Sequence, residues 1–284
     1  MKPNTLIAAI LALAGIALAL PVQATTTYSY SWDLGASGIE TGAGTYGNTR
    51  TYAATGTPSP APANNVVASA WADTTSGTST TAATASNSTL NSAYLGSYTG
   101  GLGVSNRLEG IGVSAPNHAL DNATNYDSIE FKFGTATTLS AVTIGYPSAT
   151  STYDSDISVL AWIGAGSPTL LGNKYGSLVG SGWSVIGNYS NVATLPNQTI
   201  NLSTGVSSSY WIVAAYNSVF GSTCLDAVTG QSVACNTPTT SYDYVKVQML
   251  AGSTTTTPPP GVPEPATLLL FGAGLLGLVR MRRQ

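Results

Sequence analysis

Short runs of strand character recur along the chain, and several of them alternate apolar and polar positions. They are TYSYSWDL (27–34), NNVVASAW (64–71), DSIEFKFG (127–134), LSAVTIGY (139–146) and SDISVLAWIG (155–164), then GWSVIGNY (182–189), NQTINLS (197–203), SYWIVAAYN (209–217) and YDYVKVQML (242–250). In SIEFKF, Ile129, Phe131 and Phe133 fall on one face while Glu130 and Lys132 fall on the other, the period-2 pattern of a half-buried antiparallel strand. Clusters of Gly, Pro, Asn and Ser separate the runs at intervals of roughly 10–15 residues, as in sandwiches and barrels. No stretch between 25 and 255 sustains a helical period. The pattern predicts an all-β domain over 25–251, a single antiparallel β-sandwich of jelly-roll type.

Two internal stretches fall outside that plan. Residues 74–89, TTSGTSTTAATASNST, hold eleven Ser or Thr in sixteen positions and no large apolar side chain. Such a segment cannot bury enough to hold a fixed strand and reads as a mobile loop, either plainly solvated or carrying O-linked sugar. Residues 252–261, GSTTTTPPPG, read as a stiff Thr/Pro stalk.

The ends of the chain differ again. Lys2 precedes an apolar or small run from Leu6 to Leu20, and Val22 and Ala24 occupy the −3 and −1 positions of a signal-peptidase site. Residues 1–24 therefore read as a secretory signal helix, cut after Ala24 by signal peptidase once the export machinery has engaged it. The alternative is a retained anchor. At the other end, Val262, Pro263, Glu264 and Pro265 precede fourteen uncharged, mostly apolar residues (266–279), followed by Arg280, Arg282 and Arg283. A helix over 266–279 spans about 21 Å against roughly 30 Å of hydrocarbon, so it is a marginal transmembrane segment. Gly272, Gly274 and Gly277 weaken it further. The Arg cluster holds its end on the cytoplasmic side, which places the domain outside.

Composition fits export. Only 7% of the 284 residues are charged while 43% are hydrophobic, against about 25% charged in ordinary soluble domains. Disorder is not the natural reading, because disordered chains combine low hydrophobicity with high net charge. Residues 25–261 carry five Lys/Arg and eleven Asp/Glu, a net charge of −6, and this argues against a nucleic-acid partner. Cys224 and Cys235, eleven positions apart in an exported chain, read as a local disulfide closing a hairpin-like loop, with a pair of buried thiols as the alternative.

The order Pro263-Glu264-Pro265, apolar helix, Arg cluster resembles the PEP-CTERM sorting signal of Gram-negative bacteria, over residues 262–284. The resemblance implies recognition by an exosortase, a membrane-embedded cysteine transpeptidase-like enzyme, and cleavage near the motif after transient anchoring in the inner membrane. A plain single-span anchor is the alternative. The segments GLGVSNRLEG (101–110), NHALDNATNYDSIEFKF (117–133), LSAVTIGY and YDSDISVLAWIG are similar to an exosortase-dependent surface protein family. Membership there implies sorting and no activity.

Candidate chemistry in the domain is sparse. His118, the single histidine, has Asp121 three residues on but no nucleophile elbow or cysteine nearby, so catalysis is not expected. Asp121, Asn122 and Asp127 precede one strand, and Asp154 and Asp156 precede another. If the two loops meet at one rim they offer the oxygen ligands of a structural Ca²⁺; otherwise they cap turns. No other cofactor is expected. Trp32, Trp71, Trp162, Trp183 and Trp211 lie mostly in strand runs, where aromatics are more often core. The resulting expectation is a non-enzymatic surface or matrix protein at the cell surface. The alternative is a carbohydrate-binding module acting on exopolysaccharide in a biofilm matrix, and a hydrolase would need a cleft with paired carboxylates.

Overall fold

The alternating runs are strands, and the shorter elements between them join the same hydrogen-bonded network. A computed structural model of the chain describes residues 25–74, 88–123, 125–146, 154–192, 199–236 and 242–257. They divide into a main unit, Tyr28–Thr254, and a small one formed by the chain up to Thr27 and from Thr255 on. In the small unit the Thr256 hydroxyl donates to the Thr26 carbonyl at 3.4 Å.

Among the described residues there are seventeen strands. The first nine are β1 (Thr26–Asp33), β2 (Ile39–Thr41), β3 (Thr49–Tyr52), β4 (Thr55–Thr57), β5 (Val66–Thr74), β6 (Thr89–Ser92), β7 (Tyr94–Tyr98), β8 (Gly101–Ser105) and β9 (Leu120–Asp121). The rest are β10 (Asp127–Tyr146), β11 (Ile157–Trp162), β12 (Trp183–Ser190), β13 (Thr199–Asn201), β14 (Ser208–Ala215), β15 (Thr223–Asp226), β16 (Ser232–Ala234) and β17 (Tyr244–Thr256). Among the described residues they are interrupted by one short α-helix, α1 (Tyr175–Leu178), and by 3-10 turns at Val179–Ser181 and Ser218–Phe220.

The two runs at 127–134 and 139–146 are one strand. Its first half lies between β5, in register Asp127↔Ala72 to Phe133↔Val66, and β14, in register Ser128↔Ala214 to Lys132↔Tyr210. Its second half lies between β17 and β13. The register shifts between Lys132 and Thr137, where β10 passes from one ladder to the other. Asn64 holds that crossing: its Oδ1 accepts the Thr135 amide at 2.9 Å and its Nδ2 donates to the Thr137 hydroxyl at 2.9 Å. The buried Trp211 indole donates to the Thr137 and Ser208 carbonyls at 3.2 and 3.1 Å. Buried polar groups at the bend are thereby satisfied, and the chain turns without an orphaned amide cost.

Ile129, Phe131 and Phe133 do face the main core, with Trp32, Val159, Trp211, Val142 and Val247 drawn from both ladders. The opposite face of β10 is covered as well. Leu160, Leu170, Tyr175, Leu178, Trp183 and Ile212 form a second cluster around α1, so Glu130 is half-buried while Lys132 stays exposed.

Two boundaries move. β17 continues through Thr256, so the first residues of the expected Thr/Pro stalk are strand; Gly252 and Ser253 pair with Leu139 and Thr138, and Thr254 is buried. β-Branched Thr suits that pleated position. Of the expected Ser/Thr loop, Thr74 and Thr89 are paired ends of β5 and β6, and residues 75–87 lie outside the described ones. Among the described residues no helix is long and apolar enough to cross a membrane; the expected signal and sorting helices lie outside them.

Candidate functional site

The five residues expected to share one ion divide between two groups of carboxylates. One joins Asp121 and Asp127 to Glu109; the other joins Asp154 and Asp156 to Asp243. Within each group, one carboxylate oxygen per residue lies within 4.8 Å of the others. Asn122 belongs beside the second: its Nδ2 donates to Asp243 Oδ2 at 2.5 Å and its Oδ1 accepts the Asp243 amide at 2.8 Å. Adjacent residues thus serve different groups: Asp121 is the last residue of β9 and Asn122 the first beyond it, where the chain leaves the strand.

The second group is saturated by donors. Asp154 accepts the Ser155 amide at 2.9 Å and the Asn236 side-chain amide, and Asp156 accepts the amides of Asn191 at 3.1 Å and Asn236 at 3.2 Å. Asp243 Oδ1 accepts the Asp156 amide at 2.7 Å. Burial, and then the charge of Asp154, push the Asp156 carboxyl up to about 7. Burial, followed by the charges of Asp156 and Asp154, raises Asp243 well above the carboxylate range. Such a group can hold protons between its oxygens while tying β17 to the start of β11.

The first group is built differently. An Asn106 side chain accepts the amides of Leu108 and Glu109 at 3.0 and 3.2 Å, and the Asn106 amide donates to Glu109 Oε2 at 3.1 Å. That turn bends Glu109 back toward β9 and β10. Asp121 is placed by β9 pairing with Tyr244 of β17, and Asp127 opens β10 opposite Ala72. Burial pushes the Glu109 carboxyl up to about 7, with the Asn106 amide opposing. Burial and the Glu109 charge raise Asp121. Burial, then the charges of Asp121, Glu109 and Asp73, raise Asp127, with the Asp121 amide opposing.

His118 and Asp121 form no triad. The imidazole Nε2 sits 3.2 Å from Lys246 Nζ and its ring packs against Tyr98, centroids 4.0 Å apart and tilted by 37°, while Asp121 is turned into the carboxylate group. Burial and Lys246 lower the His118 pKa. Cys224 and Cys235 are disulfide-bonded across the β15–β16 hairpin, with Tyr216 packed against them. Trp32, Trp183 and Trp211 are core residues, and Trp71 and Trp162 are half-buried.

Glu109 and Asp243 escaped the sequence reading. Asp243 precedes a strand just as Asp127 does, a signal that was there to use; Glu109 sits in a Gly-rich loop with no pattern to mark it.

Beyond the described residues, a family model described as the PEP-CTERM protein-sorting motif matches residues 261–283. The chain carries a PEP-CTERM sorting motif. Val262, Pro263, Glu264, Pro265, Arg280, Arg282 and Arg283 all fall within the match. Such a motif implies export, membrane-associated sorting to the cell surface and processing by an exosortase. No curated protein and no solved structure matches the chain. The expected cleavage after Ala24, like the tail itself, lies outside the described residues.

Proposed function

We propose that this is a non-enzymatic cell-surface or extracellular-matrix protein of a Gram-negative bacterium, exported, held briefly in the inner membrane and cut by an exosortase. The sorting motif at 261–283 carries this reading. Pro263 and Pro265 lack amide hydrogens and disfavour helix in the residues before them, a chemistry suited to being read by an enzyme as an extended string. An extended segment offers its backbone to a protease cleft, and Glu264 offers one charge to an enzyme Arg. We take the two ladders that share β10 and one core as the sheets of a jelly-roll-like β-sandwich displayed by that tail. The non-enzymatic reading is supported by His118, engaged by Lys246 and Tyr98, and by carboxylates that lie buried.

Replacing Pro263, Glu264 and Pro265 together with Ala leaves the apolar run and the three Arg intact. Intact mass and fractionation of the protein from its native host should show a longer, membrane-bound form. Removing Arg280, Arg282 and Arg283 should instead disturb retention or orientation before any cutting. Processing of the triple-Ala variant like the wild type would reduce the tail to a plain anchor.

One observation favours a second reading, binding to exopolysaccharide in a biofilm matrix. A pocket of about 290 Å³ is lined by Trp162, Ile163, Ser208 and Tyr210, and the Tyr210 hydroxyl lies 2.8 Å from Ser167 Oγ. A half-exposed indole beside hydroxyls is suited to a sugar ring, apolar on one face and polar at its rim.

A further inference from the structure

The group around Asp127 brings three carboxyls together with no cation beside them among the described residues. Asp121 and Asp127 are 0% exposed. Both Asp127 oxygens and Asp121 Oδ2 are buried without a well-formed hydrogen bond among the described residues, the Asp121 amide being the backbone donor that faces Asp127. The remaining Asp121 oxygen accepts the Ala123 amide at 3.0 Å, and Glu109 uses one oxygen on Asn106. The one ion pair formed among the described residues, Arg50 with Glu40, lies elsewhere. Removing even one ionised carboxylate from water without a partner costs several kcal/mol. The Asp154–Asp156–Asp243 group shows how this fold satisfies carboxylates when it intends to, with amide donors on each oxygen. Around Asp127 only the Asp121 amide approaches, and it forms no well-aligned hydrogen bond.

We propose that Glu109, Asp121 and Asp127 are the protein ligands of one Ca²⁺. All three offer oxygen and none offers nitrogen or sulfur, which turns the site away from zinc. Separations up to 4.8 Å reach across a coordination shell of radius about 2.4 Å; Mg²⁺, near 2.1 Å and octahedral, demands a tighter cage. The ligands come from a turn and two strands fixed by backbone pairing, so the site stands ready before the ion arrives. Bound there, the ion ties the 106–110 turn to β9 and β10 and neutralises the end of the core. The ion is neither the one expected from sequence nor shared with Asp154 and Asp156.

The full chain, stripped with EGTA and dialysed, is titrated with CaCl₂ at pH 7.5. Bound calcium is counted by equilibrium dialysis, and the thermal midpoint is followed in parallel. One ion per chain is expected, with a midpoint that rises with calcium and responds less to equal Mg²⁺. At free calcium 100 times Kd the folded state should gain about 100-fold in population over the unfolded. Asp127→Asn should weaken binding at least about tenfold, since the site loses one of three charged ligands; Asp154→Asn should leave the response as in wild type. Where Asp127→Asn fails to fold, Glu109→Gln, on the half-buried turn, gives the same reading. The proposal is overturned if millimolar calcium neither binds nor moves the midpoint. It is overturned equally if Asp154→Asn abolishes the response while Glu109→Gln and Asp127→Asn keep it. Absence of binding, together with an Asp127→Asn variant more stable than wild type at pH 8, would identify the group as neutral acids.

Discussion

Glu130 offers a clean measure of how closely the second layer covers β10. It stands on the face away from the main core, between Ile129 and Phe131, and is half-buried. Its Oε2 lies 3.4 Å from the Ser69 hydroxyl. Burial pushes its carboxyl from 4.5 up to about 7, with Ser69 and Lys132 opposing. The folded state therefore binds the proton more tightly than the unfolded chain. That contribution to stability is complete below about pH 4.5 and is lost as pH rises through about 7. At 1.36 kcal/mol per unit, a rise of about 2.5 units amounts to roughly 3 kcal/mol, an upper figure for a group with some solvent contact. Glu130→Gln mimics the protonated acid without titrating. Urea unfolding of both proteins should give equal stability at pH 4 and a variant about 2–3 kcal/mol more stable at pH 8, the difference growing through pH 5–7. Other carboxylates titrate in both proteins and cancel in the comparison. A difference that stays flat with pH, or a wild type that is the more stable at pH 8, would refute the reasoning. Either result would mean that water reaches Glu130 freely and that α1 and its cluster do not cover it.

The Cys224–Cys235 bond closes a separation of 11 residues, for which loop-closure entropy gives about 2.8 kcal/mol. The double Cys→Ala variant should unfold at correspondingly lower urea, and an unchanged midpoint would show that the hairpin frays independently of the main unit. Trp162→Ala should weaken retention on the host's exopolysaccharide about tenfold if its ring stacks on sugar, taking ~1.4 kcal/mol for one aromatic contact. Equal retention would remove the polysaccharide reading and leave the sorting reading untouched.

Much of this protein was legible along the chain. Each of the nine runs contains strand, although 197–203 does so only over Thr199–Asn201, because a side-chain period of two, where a run shows it, is a local property that survives whatever the partner strand turns out to be. The disulfide was legible because an isolated pair so close in sequence has few other uses in an exported chain. The sorting motif was legible because an enzyme reads it as a linear string. Short strands such as β2, β6 and β9 were not, since two to four residues carry no period of their own and owe their conformation to the strand beside them.

What tertiary structure alone decided is which polar groups meet. Nothing near residues 134–137 announces that Asn64 and Trp211 will clamp them and fuse two runs into β10. The sequence placed five oxygen-bearing residues before two strands and left one ion to join them. The fold instead sent Asp121 to Glu109 and Asp127, and its neighbour Asn122 to Asp243. That division follows from where β9 ends, with Asp121 held in the strand and Asn122 just past it, and from the pairing of β9 with β17, which brings Asp243 up from the far end of the chain. Local periodicity fixes which face a side chain takes; only the register between distant strands fixes what it finds there.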